Sequence, residues 1–185
     1  YLSAIIKGNY PDVALQELEG YLPNSWKSDL QNIKEPIDFI GINYYTTVLL
    51  KSGGDKFPFV EIIERDLPKT DMGWDVEPAG LTEAINLVSD YAPNLPLYIT
   101  ENGMASKNAI ADIDRIEYYK QHLNEVAKAA ETLPVNGYFA WSLLDNFEWA
   151  LGYDKRFGLV HVDYETQKRT MKDSFKWWQR ELAKK

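Results

Sequence analysis

The stretch Pro96 to Ala105, PLYITENGMA, places a carboxylate where an apolar run gives way to a turn. Leu97, Tyr98, Ile99 and Thr100 suit a strand while Asn102-Gly103 is turn chemistry, so Glu101 sits on the boundary between them. Strand ends of this kind carry the working groups of α/β enzymes. Two other apolar runs end in similar company. PIDFIGINYYTTVLL, Pro36 to Leu50, holds Asn43, Tyr44 and Tyr45, and VNGYFAW, Val135 to Trp141, runs into SLLDNFEWALGYDKRFG. In a parallel sheet all three ends lie on one face and gather an amide, a phenol, two carboxylates and several aromatic rings. Carboxylates and amides hydrogen-bond hydroxyls, and flat rings cover the apolar side of a sugar. The set suits a neutral polyhydroxylated ligand.

The elements that must position these residues are legible around them. PDVALQELEGYLP reads as a short helix that begins at Pro11 and Asp12 and stops at Gly20, followed by a polar connector. The first strand is Pro36 to Leu50; Lys51 to Gly73 is an excursion with a hairpin arm around FVEII. Leu81, Ala84, Ile85 and Val88 recur at helical spacing, with Pro78 in the first turn and the helix ending before Pro93. LYIT is the second strand, Asp112 to Leu133 a long amphipathic helix, and Val135 to Trp141 the third strand. FGLVHVDYETQKR predicts a hairpin turning at Glu165-Thr166, and MKDSFKWWQRELAKK a final helix with a basic tail. Strand, helix, strand, helix, strand with buried runs is the pattern of a parallel α/β sheet, in one domain without repeats or a linker.

Composition narrows the function classes. The 185 residues are 45% hydrophobic and 26% charged, the balance of a globular protein with a core. A formal charge of -8 repels phosphate backbones and anionic lipid, so neither a nucleic-acid nor a membrane partner is expected. The absence of cysteine fits a reducing, cytoplasmic setting. The first residues, YLSAIIKGNYPD, have neither the pattern of a signal peptide nor an initiator Met, which suggests an N-terminus elsewhere. His122 and His161 lack ligand partners at useful spacing, so no metal and no cofactor is expected.

At GNYPD, DFIGINYYT, TDMGWDVEPAGL, YITENG, NGYFAWSLLDNFEWALGYDKRFGLVHVDYETQKRTMKDS and the WW pair, the chain resembles the family 1 glycoside hydrolases, best known as β-glucosidases. The resemblance covers essentially the whole chain and implies the C-terminal part, about strands 6 to 8, of a (β/α)8 barrel. It also implies residue roles. Glu101 resembles the nucleophile of a double displacement, and Tyr45 the phenol that hydrogen-bonds it. Asn43, two residues before Tyr45 on the same strand face, is expected in the same subsite. Trp141 resembles the platform under the sugar, Glu148 and Trp149 the residues that hold its distal hydroxyls, and Phe157 a further wall. An acidic Glu148 would repel a 6-phosphate, so the expected substrate is an unphosphorylated β-glucoside or related small saccharide.

Other prominent residues have plainer readings. Tyr44 faces away from Tyr45 and is expected to pack, as are Trp177 and Trp178, while Trp74 is undecided, with a structural role favoured; Asp145, Arg156, Asp163, Arg169, Lys172 and Ser174 are expected to form a scaffold of ion pairs and caps. A retaining glycosidase also needs a second carboxyl about 5 Å from the first. The family supplies it from an Asn-Glu-Pro motif that is absent here: Glu35 follows Lys34 and Glu77 follows Val76. The general acid and the N-terminal part of the barrel are therefore expected outside this chain. The chain alone is expected to be inactive and to self-associate or join a complementary barrel portion. The rival readings are a catalytically silent sugar-binding protein and a half-barrel that assembles with another chain.

Overall fold

The computed structural model describes residues 1–53 and 59–184. After a single π-helical turn come two short helices, α1 (Asp12–Leu18) and α2 (Trp26–Ile33). The first strand, β1 (Ile40–Tyr44), is followed by an antiparallel pair, β2 (Leu50–Ser52) and β3 (Val60–Ile62). Then α3 (Pro78–Tyr91), β4 (Leu97–Asn102), α4 (Ile113–Ala130) and β5 (Val135–Ala140) alternate. A second antiparallel pair, β6 (Val160–Val162) and β7 (Arg169–Met171), leads into α5 (Asp173–Leu182). The central sheet is parallel, in the order β1-β4-β5, and each crossover is a helix.

One face of that sheet makes the core. Ile42 and Tyr44 from β1 and Leu97 and Ile99 from β4 meet Leu81, Ile85 and Val88 of α3 and Val126 and Ala129 of α4. The spacing of Leu81, Ile85 and Val88 makes one apolar stripe of a helix that starts at Pro78. Tyr44 packs here as expected, its hydroxyl donating to Glu77 O at 2.6 Å. A second cluster joins Tyr118 and Tyr119 of α4 to Leu159 and Trp177, with Trp178 against it, so both C-terminal tryptophans are packing residues. The other sheet face is uncovered: Phe39 and Phe139 are each more than half exposed. Beside β5, the rings of Phe139, Phe175 and Trp178 line an open apolar hollow of about 620 Å³ that reaches α5.

Several sequence expectations shift. The first strand is five residues long rather than spanning Pro36 to Leu50, because its neighbour in the sheet runs out: Tyr44 is paired with Asn102, the last residue of β4. Beyond it Thr46 and Thr47 bond to the following loop instead, through Thr46 Oγ1 to Asp75 O (2.9 Å) and Arg65 Nη2 to Thr47 O (2.8 Å). The polar connector contains α2, a mostly polar helix whose Trp26 packs on Tyr10. The second strand extends two residues past LYIT, so Glu101 lies inside β4. The hairpin arm forms, with its tip outside the described residues. The turn at Glu165-Thr166 is held by Asp163 Oδ1, which accepts from both backbone N–H groups. Among the described residues no helix is long and apolar enough to cross a membrane.

Candidate active site

Strict alternation along β4 places Thr100 on the open face with Gly41 and Asn43, and would turn Glu101 into the core. The strand avoids this with a bulge. Ile99 pairs with Ile42 and Glu101 with Asn43, so β4 carries one extra residue against β1; on the other side Ile99 pairs with Tyr138 and Asn102 with Ala140, again one extra. A bulge re-aims the side chains that follow it. Glu101 thereby joins Asn43 and Tyr45 on the open face, and Asn102 enters the core, where it is fully buried. Thr100 Oγ1 donates to Asn43 Oδ1 at 2.6 Å, and Tyr45 Oη donates to Glu101 Oε2 at 2.6 Å.

The wall opposite comes from the loop between β5 and β6. Trp141 N–H donates to Asn102 O (2.9 Å), which fastens the loop to β4, and the Trp141–Ser142 peptide is cis. Gly103 lies so close that a Cβ on it would meet Trp141 O at 1.8 Å, so only glycine fits. Asp145 anchors the middle of the loop: it accepts from Lys172 Nζ (2.8 Å), Gly158 N (2.9 Å) and Arg156 Nη1 (2.9 Å). Burial alone would raise the Asp145 pKa, but Lys172 and Arg156 hold it below the ordinary carboxylate value. Burial, with the nearby charge of Arg115, pulls Lys172 down to about 8. The scaffold expected from Asp145, Arg156, Asp163 and Lys172 is thus present. Buried Ser174 joins it through Asp112, to which both its N–H and its Oγ donate, while Arg169 donates to the nearby Gln167 O.

Glu148, Trp149 and Phe157 complete the wall. All seven side chains singled out in the sequence line one hollow of about 490 Å³: Asn43, Tyr45, Glu101, Trp141, Glu148, Trp149 and Phe157. Trp149 is 83% exposed at its rim, with a positive φ of 45°. Burial, the hydrogen bond to Glu101 and the charges of Glu101 and Glu148 push the Tyr45 phenol far above its ordinary pKa, so it stays a donor. Burial and the charge of Glu101 also raise Glu148. The arrangement offers a carboxylate aimed by a phenol, a second carboxylate, and flat rings around both. A family model described as glycosyl hydrolase family 1 matches residues 1–185. The chain belongs to glycosyl hydrolase family 1.

Relatives within family 1 agree with the match. β-Glucosidase A of Thermotoga maritima is 46% identical over 185 residues, and a solved family 1 β-glucosidase of that organism superposes with a TM-score of 0.92 over 98% of this chain. A 6-phospho-β-galactosidase of Streptococcus equi subsp. zooepidemicus is 42% identical over 182 residues, 84% of the chain and 39% of that protein. The chain covers 42% of the length of both Thermotoga proteins, so it spans about two fifths of relatives whose fold is a (β/α)8 barrel.

Three contributors to this family 1 site were not anticipated. Trp74, undecided from the sequence, lines the hollow, its ring centroid 5.7 Å from Tyr45 and 6.3 Å from Phe157. Its loop is tied across the hollow by Lys155 Nζ, which donates to Asp71 Oδ2 at 3.0 Å. Arg115, fully buried and paired with Asp112, donates to Met104 O (3.2 Å), Arg156 O (2.6 Å) and Gly158 O (2.7 Å), stitching the loop after β4 to the Phe157 loop. Asn102 is the third. Helical spacing flagged neither Arg115 nor its neighbours as more than a polar helix start; for Trp74 the motif TDMGWDVEP was the available signal. Glu77 is paired with Arg65 Nη1 (2.8 Å), and Glu35 precedes β1, at the end of the sheet away from Glu101. Among the described residues no group of three His, Asp or Glu is placed to hold a metal ion.

Proposed function

We propose that this chain is the C-terminal part, about strands 6 to 8, of a retaining β-glycosidase barrel, most plainly a β-glucosidase, and that Glu101 is its nucleophile. The reading rests on one observation above all: a carboxylate that accepts a 2.6 Å hydrogen bond from a half-buried phenol inside a hollow walled by tryptophan and phenylalanine. A Glu101 oxygen attacks the anomeric carbon while a general acid outside this chain protonates the departing glycosidic oxygen. The resulting glycosyl ester is then cleaved by water, which gives its proton to the same group as Glu101 leaves. Tyr45 holds the attacking carboxylate, Trp141 underlies the sugar ring, Asn43 reaches its near hydroxyls, and Glu148 and Trp149 hold the far ones. Identity alone does not choose the substrate, since a relative named a 6-phospho-β-galactosidase matches nearly as well as one named a β-glucosidase. The Glu148 carboxylate does, because it would repel a sugar phosphate.

The test uses the full-length protein carrying this chain. Glu101→Gly is expected to remove nearly all hydrolysis of an aryl β-glucoside, and azide to restore turnover while yielding the glycosyl azide of inverted configuration. Wild-type rates in Glu101→Gly without added anion would overturn the assignment. Tight sugar binding by a wild-type protein that never turns over would establish a silent binding protein instead.

A further inference from the structure

Asn102 has no place in the chemistry above, yet its side chain is the most completely engaged amide near the site. Nδ2 donates to Tyr44 O at 2.7 Å and to Tyr118 Oη at 2.9 Å, and Oδ1 accepts from Tyr138 Oη at 2.6 Å. Those partners sit on β1, α4 and β5, so one fully buried residue ties β4 to all three neighbours. Tyr118 Oη passes its own proton on toward Tyr45 O, at 3.4 Å. Burial holds the phenols of Tyr118 and Tyr138 far above their ordinary pKa, so both remain neutral donors. His122, stacked on Tyr118 at 3.8 Å, is kept neutral by burial, which pulls it down to about 4.

The position explains why an amide is needed. A bulge leaves a strand locally without a ladder to fix which side the next residue faces. Either Glu101 or Asn102 could in principle enter the core. The cradle there presents one carbonyl oxygen, Tyr44 O, which only accepts, and one hydroxyl, Tyr138 Oη, which donates. An amide satisfies both; a carboxylate would set an unshared negative oxygen against the Tyr44 carbonyl in a dry site. Glu101 is rejected from the core and Asn102 accepted, and the same bonds hold the backbone on each side of the Tyr45–Glu101 contact.

We propose that Asn102 is the positioning residue of the Tyr45–Glu101 pair: its cradle of Tyr44 O, Tyr118 Oη and Tyr138 Oη makes the bulge in β4 one-way and so aims the carboxylate. This rests on the reading of Glu101 as the nucleophile. The experiment compares Asn102→Ala and Tyr138→Phe in the full-length protein, each alone and combined with Tyr45→Phe, with Glu101→Gly and azide as the control. Asn102→Ala is expected to lower kcat about 10²-fold, the cost of roughly 1 Å of misplacement, while the Kd of a neutral sugar-like inhibitor changes less than about threefold. Tyr138→Phe keeps the ring and removes one hydroxyl, so it reports even where Asn102→Ala does not fold; a fall of about tenfold is expected. In the Tyr45→Phe background either change should cost much less, because both act on the same contact. Unchanged kcat in both variants, losses additive with Tyr45→Phe, or kcat and inhibitor affinity falling together with thermal stability would each overturn the positioning role. If azide rescue succeeds and this series fails, the positioning role alone falls; if Glu101→Gly stays active without azide, the nucleophile reading falls first and this proposal with it.

Discussion

Gly103→Ala separates a backbone fit from ordinary packing. An added Cβ would stand 1.8 Å from Trp141 O and 2.9 Å from Trp141 C, both backbone atoms, with Tyr119 Oη at 3.3 Å behind them. No rotamer relieves such a contact. Reaching an ordinary separation of about 3.4 Å takes about 1.6 Å of movement between the ends of β4 and β5. That movement strains two bonds converging there, Trp141 N–H to Asn102 O at 2.9 Å and Tyr119 Oη to Trp141 O at 3.1 Å. Overpacking of this kind costs about 1–3 kcal/mol of stability. Because the displaced parts carry the proposed nucleophile Glu101 and the proposed platform Trp141, kcat/KM for an aryl β-glucoside should fall about 10²-fold or more. The assay is steady-state hydrolysis by the full-length protein beside Gly20→Ala, whose Cβ meets nothing within 4 Å and should leave activity unaltered. A Gly103→Ala enzyme within about threefold of wild type would refute the claim that the two strand ends are held at one spacing.

Three further outcomes are expected. Glu148→Gln should lower kcat/KM for β-glucosides and narrow the gap to 6-phosphoglucosides; an unchanged ratio between the two substrates would remove Glu148 as the discriminator. Lys172→Met leaves Asp145 buried with Arg156 and the Gly158 N–H, so it should cost about 3 kcal/mol, the lower end for breaking a buried pair, and weaken sugar binding with it. Thermal unfolding and inhibitor titration would read both, and a stable variant with full affinity would contradict the anchoring role. The 185 residues alone should neither hydrolyse β-glucosides nor stay monomeric, since the proposed mechanism takes its general acid from outside this chain and Phe139, Leu143 and Leu182, all more than half exposed, flank an uncovered sheet edge. A cooperatively folding, active monomer of this chain would send attention back to Glu77.

The chemistry was more legible than the geometry that delivers it. Residue type and strand-end position sufficed to gather Asn43, Tyr45 and Glu101, and motif likeness added the loop residues. Alternation, the only rule the sequence offers for strand faces, would have turned Glu101 into the core; the register against β1 and β5 reveals the bulge, and register is a property of neighbours. Arg115 is similar. On α4 it looks like a charged residue in the first turn, and only the return of residues 156–158 to its guanidinium makes it a buried clasp. Helix α2 is only eight residues long, so its stripe of Trp26, Leu30 and Ile33 offers barely two turns of periodicity within a polar stretch. The first strand was read too long because Thr46 to Leu50 have strand-like side chains, while the partner that would pair them ends at Asn102.

Half of the side chains around the hollow, Trp141, Glu148, Trp149 and Phe157, are borne on the one connection between β5 and β6, whereas Tyr45 and Glu101 ride on or beside the parallel strands. On the proposed roles, most of the groups that hold the sugar and the group that reacts with it are therefore written in separate stretches of the gene. A recombination event or a deliberate graft that exchanges residues 141–159 would replace half of the side chains around the hollow in a single step and keep Glu101 and Tyr45 in the sequence. The graft must also meet a rule of charge. An incoming segment must bring an acid at the place of Asp145, because the receiving frame supplies Lys172, a fully buried cation whose ion pair among the described residues is with Asp145.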